Sequence, residues 1–380
     1  MNEKRGGILF TLILIIGLSL LLLWLLFNSL FMPVLKKDFS TVRTGDKPLV
    51  TILVPLRNEE HNVQPLIESL HKLTYPKLEF IFLNDQSTDE TLPLLEKHTQ
   101  MLSHARIIQG EKLPIHWVGK VFACHQLSKH AQGRYLFFLD ADIQIRPGTI
   151  EALLHVAKKK NLGLLSGFPQ FPVKGTAWLC QLLVPMQHLI IYLHLPLYLA
   201  NRTQMPLASA AHGSFMFFSK SCYDQIGGHE AIHRSLTEDI QLMRNSKQAG
   251  FATQLVNNTA FASCKMYDTT KEVWHGFAKN SFPGIGRSYL LSVLLMLFYT
   301  VIFVAPLFVA LYGIVSLQLY YIIPYVLTVL IMAWINFLSK QRLVLSFFIP
   351  FSAASLISIL VYSMFLSRRT GYTWKGRVYK

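Results

Sequence analysis

The run FFLDADIQ, Phe137 to Gln144, takes a stretch of bulky apolar residues into two carboxylates separated by a single alanine. Residues two apart on a strand point the same way, so Asp140 and Asp142 share one ligand if the strand continues that far. Mg²⁺ and Mn²⁺ take oxygen ligands and commonly bridge one or two carboxylates to substrate phosphates. Such an ion cancels the like-charge repulsion and stabilises charge on a departing diphosphate. The competing reading is a turn with a capping Asp. Asp85, in LNDQSTDET, also has two readings: turn chemistry, or an acceptor for base or ribose hydrogens of a nucleotide. Asp89 suits a first-turn charge. Glu238 and Asp239 open a predicted helix, where the dipole stabilises acids without any catalytic role.

These acids need elements to hold them. LVTILVPL (Leu49 to Leu56), LEFIFLND (Leu78 to Asp85), ARIIQG (Ala105 to Gly110) and YLFFLDAD read as strands. Helices are expected between them: one after an Asn58 N-cap, one opened by a Ser87/Glu90 capping box, and one over Trp117 to Gly133, closed by that glycine. Alternation of this kind predicts an α/β fold with a mostly parallel sheet, whose ligands bind beyond the carboxyl ends of the strands. Asp85 and Asp140 fall there. Further on, GLLSGFPQF and HGSFMFFSK look like strands. TEDIQLMRNSKQAG reads as a helix with Thr237 as N-cap and Gly250 as stop.

The chain has 380 residues, with 36 Lys+Arg against 21 Asp+Glu, a formal charge of +15. Only 15% of residues are charged and 52% are hydrophobic, against roughly 25% charged in a typical globular protein. The apolar excess is concentrated in Ile8 to Phe31, Ser288 to Ser339 and Leu343 to Leu366, none of which carries a charge. At roughly 20 residues per crossing this predicts one, two and one spans, with Gln318 as the break in the middle stretch. Lys36 and Lys37 after the first span place the polar middle in the cytoplasm by the positive-inside rule, weakly opposed by Lys4 and Arg5. The basic tail SRRTGYTWKGRVYK conflicts with three later crossings: either one stretch is re-entrant or the tail breaks the rule. We thus expect an anchor over 1–47, a cytoplasmic catalytic domain over 48–287 and a membrane region over 288–380. Thr176 to Ala200 and Glu272 to Phe282 suit helices lying in the membrane interface, the former having the length for a fifth span. Cys124, Cys180, Cys222 and Cys264 lack metal-ligand spacing and read as free thiols. His188, His194 and His212 read as packing or hydrogen-bonding locally. No nucleic-acid motif accompanies the positive charge, which suits anionic lipid instead.

In order, VPLRNEE, LNDQSTDET, WVGKVFACHQL, FFLDAD, HGSFMFF, TEDIQLMR and WHGFAKNSF resemble the membrane-bound glycosyltransferases of family 2, with the GT-A fold. The likeness covers about Val50 to Phe282. The pairs Gly119-Lys120 and Lys279-Asn280 and the WKGR of the tail make it most like bacterial carotenoid-acid glucosyltransferases of the staphyloxanthin type and hopanoid-associated relatives. The resemblance implies roles by position. Asp85 would hold the uridine of a UDP-sugar. Pro55, Arg57 and Glu59 would lie in the first nucleotide-binding loop. Asp140 and Asp142 would form the metal motif, for Mg²⁺ or Mn²⁺. Glu238 would border the donor, and Asp239 would be the catalytic base. Lys120 or Lys279 would help the leaving diphosphate. The implied reaction is inverting transfer of a sugar, glucose in the relatives, to a lipid acceptor. HGFAKN stands where processive relatives carry Gln-x-x-Arg-Trp, which counts against a polysaccharide synthase. A non-catalytic nucleotide-sugar-binding scaffold would require a damaged site, and all four key aspartates are present.

Overall fold

The computed structural model describes residues 2–36, 47–369, 372–374 and 377–379. Lys37, Lys375 and Lys380 lie outside the described residues. Contacts divide the chain into two compact units, one of Met1–Leu30, Phe171–His194 and Met266–Lys380, the other of Phe31–Gln170 and Leu195–Lys265.

The second unit is the α/β part. Its seven-stranded sheet has the order β3-β2-β1-β4-β7-β6-β8. The strands are β1 (Val50–Leu56), β2 (Leu78–Asn84), β3 (Ala105–Gln109), β4 (Tyr135–Leu139), β6 (Leu162–Phe168), β7 (Phe215–Ser219) and β8 (Ala252–Asn257). β5 (Ile143–Ile145) and β9 (Ala262–Cys264) form a separate antiparallel pair. Residues of β1, β2 and β4 are buried almost without exception, as strands covered on both faces require. β1, β2, β3 and β4 are parallel, while β7 runs antiparallel to β4 and β6. The chain winds outward from β1 to β3 and returns to β4 on the other side of β1. A crevice therefore opens at the carboxyl ends of β1 and β4.

Pro55 widens that opening. Pairing of β1 with β2 runs to Leu56↔Asn84, but the ladder to β4 stops at Leu53↔Phe138. A proline has no N–H to continue a ladder, so the strands part just below the crevice.

The helices bearing on the site are α1 (Glu60–His71), α2 (Thr91–His98), α3 (Gly119–His130), α4 (Thr149–Lys160) and α5 (Glu238–Gln248). Several expected ends differ. Asn58 is not an N-cap: it is left-handed (φ 52°) and its Oδ1 accepts from Thr88 N at 2.9 Å. Ser87 forms no capping box either. Its hydroxyl accepts from Asn58 N at 3.1 Å, and Asp89, just ahead of α2 rather than in its first turn, accepts from Thr91 N instead. Thr237 precedes α5 without a side-chain cap, whereas Gly250 (φ +83°) does end it. Gly133 lies beyond the end of α3. A Cβ there would meet Thr51 N and Oγ1 at 2.6 Å, so close packing on β1 explains this glycine better than a helix stop.

Among the described residues, the first unit holds four helices long and apolar enough to cross a membrane: Gly6–Ser29, Tyr289–Val315, Leu319–Leu338 and Leu343–Arg368. The break falls at Gln318, as expected. Pro306 interrupts the second: it cannot donate to the preceding turn, and a π-helical segment, Thr300–Val304, lies just before it. Some buried polar side chains in this unit are paired, as an apolar setting favours. Asn28 Nδ2 donates to Tyr192 O at 2.8 Å, and Asn336 Nδ2 to Ser346 Oγ at 2.9 Å. Thr176 to Ala200 is no fifth long helix; it breaks into Trp178–Leu183, Met186–His194 and the start of Leu197–Arg202. The four cysteines are buried and free. His194 bonds Tyr299 Oη at 3.0 Å, and His212 bonds Ser214.

Candidate active site

β4 ends at Leu139, so Asp140–Ala141–Asp142 is a turn rather than strand, closed by Ile143 N donating to Asp140 O at 3.2 Å. The expected strand continuation does not occur. The carboxylates nevertheless stay close enough that Asp140 disfavours the charge of Asp142. β4 pairs antiparallel with β7, Leu139 opposite Phe215. That register carries the end of FFLDAD to the start of HGSFMFF, and Asp140 N donates to Ser214 O at 3.2 Å.

Gly213 is the point on which the acidic segments converge. A Cβ at this position would lie 3.0 Å from Glu238 Oε1, 3.3 Å from Lys120 Nζ and 3.4 Å from Asp239 Oδ2. A side chain here would crowd the ends of Lys120 and Glu238, where the starts of α3 and α5 meet. Lys120 Nζ lies 2.8 Å from Asp140 Oδ1, 2.9 Å from Asp140 Oδ2 and 3.1 Å from Glu238 Oε1. Burial opposes its charge, yet Asp140 and Glu238 outweigh burial and hold the ammonium well above the usual lysine range. Asp140 is raised by burial, against the pull of Lys120.

Asp142 and Asp239 are less compensated. Both keep some accessible surface, but each sits under enough protein that burial dominates. Burial, then Asp140 and Glu59, push Asp142 up to about 7. Its Oδ1 is buried without a hydrogen-bond partner. The β5–β9 register sets Cys264 opposite Ile143, so the thiol faces this carboxyl. Burial, then Glu238, push Asp239 up to about 7, although Ile240 N donates to its Oδ1 at 2.8 Å.

Asp85 follows β2 at the same edge of the sheet, two strands from Asp140, which is about 10 Å at the usual strand spacing. Its residue is 5% exposed. Arg57 Nη1 donates to Asp85 O at 2.6 Å, tying the end of β1 to the end of β2. Glu59 accepts from Asn62 Nδ2 at 2.8 Å. Cys124 on α3 reports the convergence: burial raises its thiol, Lys120 opposes this, and Asp140, Glu238 and Asp85 add to the rise. Arg57, Glu59, Asp85, Lys120, Asp140, Asp142, Glu238 and Asp239 thus share one unit and one edge of its sheet. Lys279 belongs to the helix Thr270–Gly284 of the other unit.

Two residues here carried no assigned role in the sequence. HGS was legible as a motif, but nothing in it announced the contacts of Gly213. His229 is 2% exposed, bonds Tyr223 Oη through Nδ1 at 2.7 Å, and is held down at about 3 by burial and then Lys120. It is a neutral ring behind the ammonium.

Among the described residues no group of three or more His, Cys, Asp or Glu forms a ready metal cage. Asp140 and Asp142 still fit a cation that keeps waters and takes phosphate oxygens, since such ions need only one or two carboxylates and Asp142 Oδ1 has no partner.

Residues 51–227 match the model of glycosyl transferase family 2. The 4,4'-diaponeurosporenoate glycosyltransferase of Staphylococcus haemolyticus (strain JCSC1435) is 24% identical over 277 residues, 70% of this chain and 69% of the relative. Its namesake from Staphylococcus aureus (strain MRSA252) is 26% identical over 254 residues, 65% of this chain and 64% of the relative. Among solved structures, a mannosyltransferase from Pyrobaculum calidifontis, in complex with GDP-Man and Mn²⁺, matches with a TM-score of 0.53 at 14% identity, covering 94% of this chain and 99% of that one. The chain carries a glycosyl transferase family 2 domain over residues 51–227 and has the GT-A fold of a glycosyltransferase.

Proposed function

We propose that this enzyme transfers a sugar, glucose in our reading, from a UDP-sugar to a membrane lipid acceptor such as a carotenoid acid or hopanoid, with inversion at the anomeric carbon. The observation that carries it is the convergence of Lys120, Asp140, Glu238 and Asp239 around Gly213, beside the switch point of the sheet. The names of the staphylococcal relatives support a carotenoid-acid acceptor, and the apolar helices support a lipid one.

Each residue has a task. Pro55, Arg57, Glu59 and Asp85 border the nucleoside, Asp85 accepting from the uridine. Asp140 and Asp142 hold a divalent cation, Mg²⁺ or Mn²⁺, which when bound supplies charge neutralisation for the leaving diphosphate. Lys120 faces the phosphates, and Glu238 positions Lys120. Asp239, whose Oδ1 accepts from the Ile240 amide, takes the acceptor's proton. A base with a pKa near the working pH is the efficient choice for a hydroxyl. A carboxylic acid acceptor arrives already ionised and needs none, given a reference pKa of about 4.

We further propose a multi-pass membrane protein with an anchor over 1–47, a cytoplasmic catalytic domain over 48–287 and a membrane region over 288–380. The test is UDP release from UDP-sugars by membranes containing the protein, with Mn²⁺, with and without extracted lipid. Lipid-dependent release supports the reading; release indifferent to lipid overturns the acceptor assignment.

A further inference from the structure

Asp140 and Asp142 are neighbours in one turn but differ in how they are occupied. Lys120 covers both oxygens of Asp140, at 2.8 and 2.9 Å. The same ammonium reaches Glu238 Oε1 at 3.1 Å and Gly213 O at 3.5 Å, so its three protons are all directed to acceptors. Asp142 Oδ1, by contrast, has no partner. A Mg²⁺ ion binds carboxylate oxygen at about 2.0–2.1 Å, and Mn²⁺ only slightly farther, in the space this ammonium fills. Two cations on one carboxylate face repel each other, most strongly where water is scarce.

We propose that Lys120 is an internal counter-ion that closes Asp140 to divalent cations until a nucleoside diphosphate draws the ammonium away. Lys120 then exchanges Asp140 and Glu238 for phosphate oxygens, and the freed carboxylate joins Asp142 in holding the ion. No covalent step is involved; one cation replaces another. The consequence is an order of events: the metal site is complete only when the donor is present. This rests on the proposed donor and cation reading of the site and adds Lys120 as the residue that sets metal affinity.

The test uses the full-length protein in detergent and Mn²⁺ alone as probe, followed by electron paramagnetic resonance or calorimetry without nucleotide. Lys120→Met is expected to bind Mn²⁺ at least about tenfold more tightly than the native protein, because a half-buried positive charge has been removed from beside the ion. Lys120→Gln, uncharged but able to donate to Asp140, carries the same expectation should the methionine variant fail to fold. Lys120→Arg keeps the charge and is expected to stay as weak as the native protein. Asp142→Asn in the Lys120→Met background is expected to abolish the gain. Mn²⁺ affinity in Lys120→Met or Lys120→Gln equal to or weaker than native overturns the proposal. UDP release on the same samples separates the two readings. UDP release by the native protein, with Mn²⁺ affinity unchanged in Lys120→Met and Lys120→Gln, rejects the blocking role alone. No Mn²⁺ binding in any variant, with or without UDP, rejects the cation reading beneath it.

Discussion

Two acidic loops at the same edge of the sheet use their oxygens in opposite ways. After β2, the carboxylate of Asp89 accepts from Thr91 N, Thr91 Oγ1 and Glu60 N at 3.1, 2.6 and 3.2 Å. Burial works against its charge, but the hydrogen bonds from Thr91 and Glu60 outweigh burial and hold it below the usual carboxylate range. Around Gly213 the acids face one another and a single ammonium, and Asp142 and Asp239 rise to about 7. Acids committed to backbone amides are structural. Acids crowded together with too few donors are poised for something the chain does not itself supply.

Breaking the crowded side has the largest expected effect. Asp239→Asn lowers transfer to a hydroxyl acceptor by about 10²–10⁴-fold and leaves transfer to a carboxylate acceptor nearly unchanged, read as turnover on the two acceptor types. Equal, severe loss on both would refute the base assignment. The pH profile sharpens the same point. A base works ionised, and Asp239 is raised to about 7, so hydroxyl transfer should fall as pH drops through that value and level off above it. Below it the slope approaches about tenfold per pH unit, and this limb should vanish in Asp239→Asn.

Gly213→Ala comes next. The new methyl meets the flexible ends of Glu238, Lys120 and Asp239 rather than backbone. We expect about a tenfold loss of activity from displaced groups with the melting temperature nearly preserved. On the committed side the pattern reverses. Asp89→Ala should cost about 1 kcal/mol of stability in denaturant or thermal unfolding, through the lost hydrogen bonds to Thr91 and Glu60, and leave turnover within about twofold. A large loss of turnover with unaltered stability would erase the contrast between the loops.

Much of this architecture was legible because it rests on local rules. The apolar runs ending at Leu56, Asn84 and Leu139 are buried strands, and the uncharged stretches supply most of the long apolar helices described, with the break at Gln318. Helix starts were less legible. Asn58, Ser87 and Thr237 have the right chemistry for caps, but the first two bond across loops 29 or 30 positions apart in sequence, where spacing patterns carry no signal. β5, α4, β8 and β9 escaped for a related reason: the short pair β5–β9 is defined by a partner more than a hundred residues away.

Residue order alone determined which side chains end the parallel strands, because a strand's apolar run and its polar stop are adjacent in the chain. It also determined that the apolar excess is gathered into span-length helices. Only the tertiary structure decided that Lys120 closes on Asp140 and Glu238 while Asp142 Oδ1 stays unpaired. That outcome follows from the antiparallel β4–β7 register and from the missing side chain at Gly213, which leaves the ends of Lys120 and Glu238 uncrowded. Distances between segments depend on how sheets and helices pack, and no local pattern encodes them.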